Sequence, residues 1–322
     1  MIVRGGSCYR GDMPRVTVVI PAFNAERYIG EALGSIRDQT FRDVEVLLID
    51  DGSTDGTLRE AERFAGPLDL TIVRRTNTGP AAARNAGIRL ARGRYCAFLD
   101  ADDVMLPGLL AAQTGLLDAD PQLGLVFTDV TTFDERGIIR RTHWNFSRRC
   151  IGTVLDGLLV ENFVTTSAVM APRERLLEAG LFSEDRLVAE DYELWLRMAA
   201  KWKVGIIDRP LVRYRYVAGS LSSDKTFSAR CALEVIEAFW REHPDYLRSH
   251  QEVHRRSLAR HLATAGSAAF AAGRRSAAFG YLWRSLWHNP SALAAWKCMA
   301  KTLMLPSPQS AGGKSAGNKG AA

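Results

Sequence analysis

The first hundred residues alternate short continuous apolar runs with stripes at helical spacing. Val16 to Ile20 is a β-branched run that ends at Pro21, which predicts a strand entering a turn. Glu26 to Ile36 sets Ile29, Leu33 and Ile36 on one helical face. Val44 to Ile49 is again apolar, and a helix is predicted from Thr57 to Phe64. Leu70 to Val73 reads as a third strand, Ala81 to Ala91 keeps Ala82, Ala86 and Leu90 in helical register, and Tyr95 to Leu99 is a fourth strand. Strands apolar at every position are buried on both faces, so the alternation predicts an α/β domain with a mostly parallel sheet flanked by helices. Ligands of such sheets gather at the carboxyl ends of the strands. The polar clusters at 21–24, 50–55 and 100–103 all fall there.

Beyond residue 120 the pattern loosens. Leu125 to Val130 and Lys203 to Ile207 read as strands, and Glu190 to Lys201 as a helix with Leu194 and Met198 in register with Trp202. From about Thr226 the chain is helical, with stripes Leu233, Ile236, Trp240 and Leu258, Leu262, Ala265. These shifts divide the chain into a leader at 1–13, an α/β domain at 14–222, a helical region at 223–305 and a Gly/Ala/Ser-rich tail at 306–322, the leader and tail being expected to lack order. Gly273, Ala278, Leu282, Ser285 and Pro290 sit at the offsets of a tetratricopeptide unit, although a plain helical hairpin explains them equally well. Ser291 to Leu305, with Trp296, Met299 and Leu303, reads as a helix packed into a core, with a membrane surface as the alternative.

Composition narrows the class. The 322 residues carry a formal net charge of +6 with 47% hydrophobic content, ordinary for a globular protein. The mild basic excess suits an anionic substrate or an acidic membrane surface. Aromatic and basic residues do not interleave as in an RNA-binding module, so no nucleic acid partner is expected. Five scattered cysteines (8, 96, 150, 231, 298) with no Cys-x-x-Cys pair argue against disulfides and structural zinc, and for a reducing compartment. With no apolar run of spanning length and no signal-peptide core, a cytoplasmic location is expected, with room for work at the inner membrane face. Asn145-Phe146-Ser147 is a glycosylation sequon only in form.

Four stretches carry candidate chemistry. Asp100-Ala101-Asp102-Asp103 follows a buried strand. Carboxylates crowded there repel one another, and a hard divalent cation with a diphosphate would relieve them. A solvated turn that caps the next helix is the other reading. Asp50-Asp51 also ends a buried strand and could accept from a ribose hydroxyl or base N–H, or form an Asx turn with Ser53, Thr54 or Asp55 as caps. Arg84, on the helix after Asn77-Thr78-Gly79, could hold phosphate bidentately or pair with Asp50, Asp51 or Asp100. Glu190-Asp191 opens an amphipathic helix, where a carboxylate either complements the helix dipole or stays ionised as a general base. Trp195 would form an acceptor wall or fill core.

Together these motifs resemble family 2 glycosyltransferases with the GT-A fold. Thr17 to Asn24, Asp50 to Thr57, Asn77 to Gly87, Leu99 to Asp103 and Glu190 to Trp195 occur in family order across residues 14–220. The resemblance implies an inverting glycosyltransferase that moves a sugar from a nucleotide-diphosphate donor, a UDP-sugar foremost, to a glycan, lipid-linked or protein acceptor in polysaccharide biosynthesis. It implies that Pro21, Ala22, Asn24, Asp50, Asp51, Arg84 and Asp100 bind the nucleotide-sugar. Asp102 of the DxD pair would bind Mn²⁺ or Mg²⁺, and Asp191 would be the catalytic base, with Glu190 and Trp195 on the acceptor side. The Gln-x-x-Arg-Trp motif of polymerising members is missing, which implies a non-processive enzyme. Val217 stands where many relatives place a His after a Tyr-Arg pair, and Ser220 and Ser222 follow. The rival reading is a degenerate nucleotide-sugar-binding scaffold acting through its helices.

Overall fold

The predicted strands become the middle of a ten-stranded sheet. The computed structural model describes residues 2–4, 14–140, 153–217 and 224–304. Within them β1 is Ile2–Arg4, β2 Val16–Ala22, β3 Val44–Asp50, β4 Asp69–Arg74, β5 Tyr95–Phe98, β6 Val104–Met105, β7 Leu123–Asp134, β8 Gly137–Arg140, β9 Val169–Pro172 and β10 Lys203–Arg215. The order is β1-β4-β3-β2-β5-β9-β7-β10-β6, with β8 paired to β7. Strands β4, β3, β2 and β5 are mutually parallel. β9 enters antiparallel to both β5 and β7, and β10 then runs parallel to β7. The predicted parallel nucleus is therefore present, and the sheet as a whole is mixed. Part of the stretch expected to be a leader, Ile2–Arg4, pairs antiparallel with β4. Residues 5–13, the Asn145 sequon, Ser220, Ser222 and the 306–322 tail lie outside the described residues.

The chain divides into two compact units. The first comprises Met1–Leu158 and Asn162–Leu221, the second Leu159–Glu161 and Ser222–Ala322. In the first, helices α1 (Ile29–Arg37), α2 (Thr57–Glu62), α3 (Pro80–Leu90), α4 (Leu109–Ala119), α5 (Val154–Val160), α6 (Arg173–Glu178) and α7 (Glu190–Lys201) accompany the sheet. Val18, Ile20, Leu48, Ile29 and Leu33 are wholly buried between layers. Glu45 interrupts the apolar β3 run without cost, because its carboxylate accepts from Thr17 Oγ1 at 2.5 Å, Arg92 N at 2.7 Å and Arg92 Nε at 2.6 Å. Gly87 lets α3 lie close on β2, since a Cβ there would stand 2.3 Å from Val19 Cγ1. Gly87→Ala is expected to cost about 1–3 kcal/mol by overpacking, read as a lower urea midpoint with unchanged slope.

In the second unit, α8 (Lys225–Glu242), α9 (Pro244–Ser249), α10 (Gln251–Ala271), α11 (Arg275–His288) and α12 (Leu293–Met304) form the helical region. Asp224 caps α8 by accepting from Thr226 N at 2.9 Å and Phe227 N at 3.0 Å. Leu233, Leu262 and Ala265 make one small core, and Leu282, Leu286, Ala295 and Met299 another. Ala278, Leu282 and Ser285 are buried in an α10–α11 hairpin. A helical hairpin is what both readings of these residues predict, so it does not choose between them. The expectation for the last helix needs correction: Met299 packs inward, but Trp296 and Leu303 are 50% and 62% exposed.

Candidate active site

The carboxyl ends of β2, β3 and β5 do come together with the start of α7, and hydrogen bonds show how each turn is held. The turn after β2 is tied to the turn after β3. Asn24, with φ of 50°, donates its N–H to Ser53 Oγ at 3.0 Å, and its Oδ1 accepts from Thr54 N at 2.9 Å. Asn tolerates this left-handed backbone better than most side chains do. Ala22 is buried, and its carbonyl accepts from Asp51 N at 2.8 Å, while Pro21 is half-buried. Asp55 is a cap, accepting from Thr57 N at 3.0 Å and Glu26 N at 3.1 Å.

Asp50 and Asp51 point to different tasks. Asp51 accepts from Thr78 N at 3.1 Å and Gly79 N at 2.7 Å, so it anchors the loop that opens α3. Asp50 is fully buried, and its Oδ1 accepts from Ser53 N at 3.2 Å. Its Oδ2 has no hydrogen-bond partner among the described residues, with Arg74 Nε 3.6 Å away. A buried acceptor with an open lone pair at a strand end is suited to a ligand's donor.

Arg84 is the hub. It is 5% exposed and points from α3 toward the acids. One terminal nitrogen donates to Asp100 Oδ1 at 2.7 Å and the other to Glu190 Oε1 at 2.8 Å. The guanidinium also lies over the Phe182 ring, 5.4 Å from its centroid. Burial works against its charge, but the surrounding carboxylates outweigh it and raise its pKa. Arg84 therefore joins the acid turn after β5 to the acids that open α7, and the salt bridge to Asp100 is the one of its three candidate pairings that forms.

The acid turn itself is asymmetric. Asp103 is buried and accepts from Ser167 Oγ at 2.5 Å and Arg215 N at 2.8 Å. Burial and the adjacent Asp102 and Asp100 raise its pKa well above the usual carboxylate range. Asp103 is thus the turn's structural anchor. Asp102 is half-buried, and burial followed by repulsion from Asp100 pushes it up to about 6. Asp100 donates its N–H to Ser167 Oγ at 3.0 Å.

At the opening of α7, Asp191 accepts from Thr166 Oγ1 at 2.8 Å and from its own helix at Tyr192 N, 2.6 Å. Burial raises its pKa, against the pull of Thr166 and Arg84. Glu190 is 7% exposed; burial, then the Asp191 charge, push it up to about 7, although Arg84 opposes both. Of the two residues expected on the acceptor side, Glu190 is held by Arg84. Trp195 is wholly buried, packing 6.1 Å from Phe98 and 5.7 Å from Phe182 between ring centroids, so it is core.

Three residues that the sequence did not single out complete the arrangement. Thr166 and Ser167 form a 3-10 turn, Thr166–Ala168, between the acid groups. Arg215, at the end of β10, donates Nε to Asp102 O at 2.7 Å, pairs with Glu31 and stacks 4.3 Å from the Phe133 ring centroid. Among the described residues no group of three or more His, Cys, Asp or Glu side chains is arranged to hold a metal ion.

The sequence model of the family described as glycosyl transferase family 2 matches residues 17–178. A protein of Rickettsia felis described as an uncharacterized glycosyltransferase is 32% identical over 209 residues, 64% of this chain and 34% of that protein. The chain therefore spans about a third of that relative's length. Among solved structures, the mannosyltransferase PcManGT from Pyrobaculum calidifontis in complex with GDP-Man and Mn²⁺ superposes with a TM-score of 0.59 at 23% identity, covering 92% of this chain and 88% of that one. S. aureus TarS 1-349 in complex with UDP-GlcNAc gives 0.58 at 18% identity, covering 89% and 91%. At such identities the likeness is one of fold, and it extends the α/β sheet to its helical partner region. The family match spans the β2, β3 and β5 turns and Arg84, and on that ground the chain belongs to glycosyl transferase family 2.

Proposed function

We propose that this glycosyltransferase moves a sugar from a nucleotide-diphosphate donor, a UDP-sugar foremost, to a hydroxyl of a glycan, lipid-linked or protein acceptor. The anomeric centre inverts, and the protein adds one sugar per encounter. The observation that carries the reading is the set of acids gathered by Arg84: Asp100 on one side, Glu190 with Asp191 on the other. Fold neighbours crystallised with UDP-GlcNAc and with GDP-Man and Mn²⁺ support it.

The donor set suits a divalent cation. Mg²⁺ is commonly bound through one or two carboxylates together with substrate phosphates. Asp102, with Asp100 beside it, offers that number of hard oxygens at a point where uncompensated charge is costly. When bound, Mn²⁺ or Mg²⁺ would neutralise charge that develops on the departing diphosphate. Asp50 Oδ2 would accept from the nucleoside, and Asp51 and Asn24 would hold the turns that frame it. Asp191 would take the proton of the acceptor hydroxyl. The acceptor oxygen forms its bond to the anomeric carbon as the bond to the diphosphate breaks, and the diphosphate leaves with the electron pair. Attack opposite the leaving group inverts the centre.

The test is nucleotide release from a panel of UDP- and GDP-sugars with Mn²⁺, Mg²⁺ or a chelator. Release from at least one donor, abolished by chelation and by Asp102→Asn, is expected. Failure to bind any nucleotide-sugar with either metal would sink the reading. The pH profile is a second check. The base works only after the Glu190–Asp191 pair sheds a proton, and both groups are raised. The turnover number should therefore rise with pH through a midpoint above the ordinary aspartate value of about 4. A profile already flat from about pH 5 upward would contradict it.

A further inference from the structure

The helical unit buries Trp240 but leaves its other three tryptophans, Trp283, Trp287 and Trp296, exposed. On α11, Phe279, Trp283 and Trp287 recur every four residues and are 43%, 57% and 79% exposed. They form a single row beside the buried row of Ala278, Leu282 and Leu286. The Phe279 and Trp283 rings lie nearly parallel, 6.4 Å apart. On α12, Trp296, Leu303 and Met304 are also exposed, the last by 81%. Such a row burdens a helix that has no covering partner.

Charge in the same region has one sign. From Val253 to Ala322 there are ten Lys and Arg and no Asp or Glu, which leaves the rest of the chain at −4. Lys297 and Lys301 stand exposed on α12, and Arg274 is exposed just before α11. No described helix is long and apolar enough to cross a membrane. Four of these cations pair with acids, Arg255 and Arg256 with Glu252, Arg260 with Glu161 and Arg284 with Glu237. Exposed tryptophans alongside the exposed Lys297, Lys301 and Arg274 are the signature of a surface that lies in the headgroup layer, where indole rings find both apolar and polar neighbours.

We infer that α11 and α12 dock the protein on an anionic lipid bilayer, with Trp283 and Trp287 entering the headgroup region and the cations facing lipid phosphate. An acidic protein partner would complement the charge but would not require a row of three aromatic side chains ending in a nearly naked tryptophan. A second copy would bring +10 against +10.

The experiment is co-sedimentation of the full chain with vesicles of phosphatidylcholine alone or mixed with phosphatidylglycerol, with tryptophan emission read in parallel. Wild type should bind the mixed vesicles, shift its emission to the blue, bind phosphatidylcholine weakly, and release as salt rises. Lys297→Gln with Lys301→Gln should lower the partition coefficient about 30-fold, at about fivefold per cation removed. Trp283→Ser with Trp287→Ser should lower it at least ~10-fold and remove the blue shift. All four positions are exposed, and the lysine pair decides the matter should the tryptophan pair misfold. Absence of wild-type binding to the mixed vesicles, equal binding by wild type and the lysine variant, or a concentration-dependent dimer dissolved by the tryptophan variant would each overturn the assignment.

Discussion

Asp191→Asn is expected to lower turnover by about 10²–10⁴-fold with donor affinity little changed, the usual worth of a positioned general base. The geometry makes the substitution a clean one. Asn keeps an oxygen that can accept from Tyr192 N, and Thr166 Oγ1 can rotate to meet the new amide. Stability should move the other way from activity. Asp191 has a raised pKa in the fold, so the unfolded chain sheds this proton first as pH rises, and the native state is penalised above the unfolded value of about 4. Removing the charge lifts that penalty and lowers the Glu190 pKa. At neutral pH the variant should therefore melt no lower than wild type. Turnover within about tenfold of wild type would remove Asp191 from the base role.

Arg84→Met should be the most damaging substitution to the fold, costing about 3–5 kcal/mol at neutral pH and above, because it strands buried acids that share one cation. Asp100 and Glu190 each lose a hydrogen bond of 2.7–2.8 Å, and no basic side chain among the described residues is placed to replace it. The sign with pH is specific. Glu190 already sits near 7, and without Arg84 its pKa rises further. Below about pH 5 Glu190 is protonated in either protein, so the deficit should shrink; above about pH 8 it should be largest. Urea midpoints at the two ends of that range check it. Arg84→Lys should recover little, since one ammonium cannot reproduce two directed N–H contacts. Equal loss at both ends of the range would show that packing on Phe182, not charge, is what Arg84 supplies.

What could be read ahead of the structure divides along physical lines. Strands β2, β3 and β5 were plain because a strand buried on both faces is apolar at nearly every position, and β4 because Leu70 and Ile72 are buried in alternation. β9 was invisible: Val169–Pro172 is four residues long, ends in Pro, and is a strand only because β5 and β7 flank it. Leu109–Ala119 gave no signal either, since its many apolar residues fall on most faces of the helix. The site divides in the same way. Acidic clusters at strand ends announce themselves, because charge crowded beside buried runs is costly, although each alone also reads as a capping turn. Their holders do not. Thr166 and Ser167 look like any polar pair until the fold brings them 25 and 64 residues away in sequence to Asp191 and Asp103. For Trp195 the sequence left acceptor wall and core open, and only its packing on Phe98 and Phe182 decides for core.

The turn at Thr166–Ser167 acts as a gauge. Thr166 grips the acid that would receive the acceptor's proton, and Ser167 grips the turn that would cradle the departing diphosphate. Adjacent α-carbons are about 3.8 Å apart across a trans peptide, and covalent geometry does not let that spacing drift. The two halves of the reaction are thereby calibrated against one peptide bond, like jaws set by a single screw. Under the proposed reaction, the loops around this turn could change in length and composition while the span between proton acceptor and leaving group stayed the same.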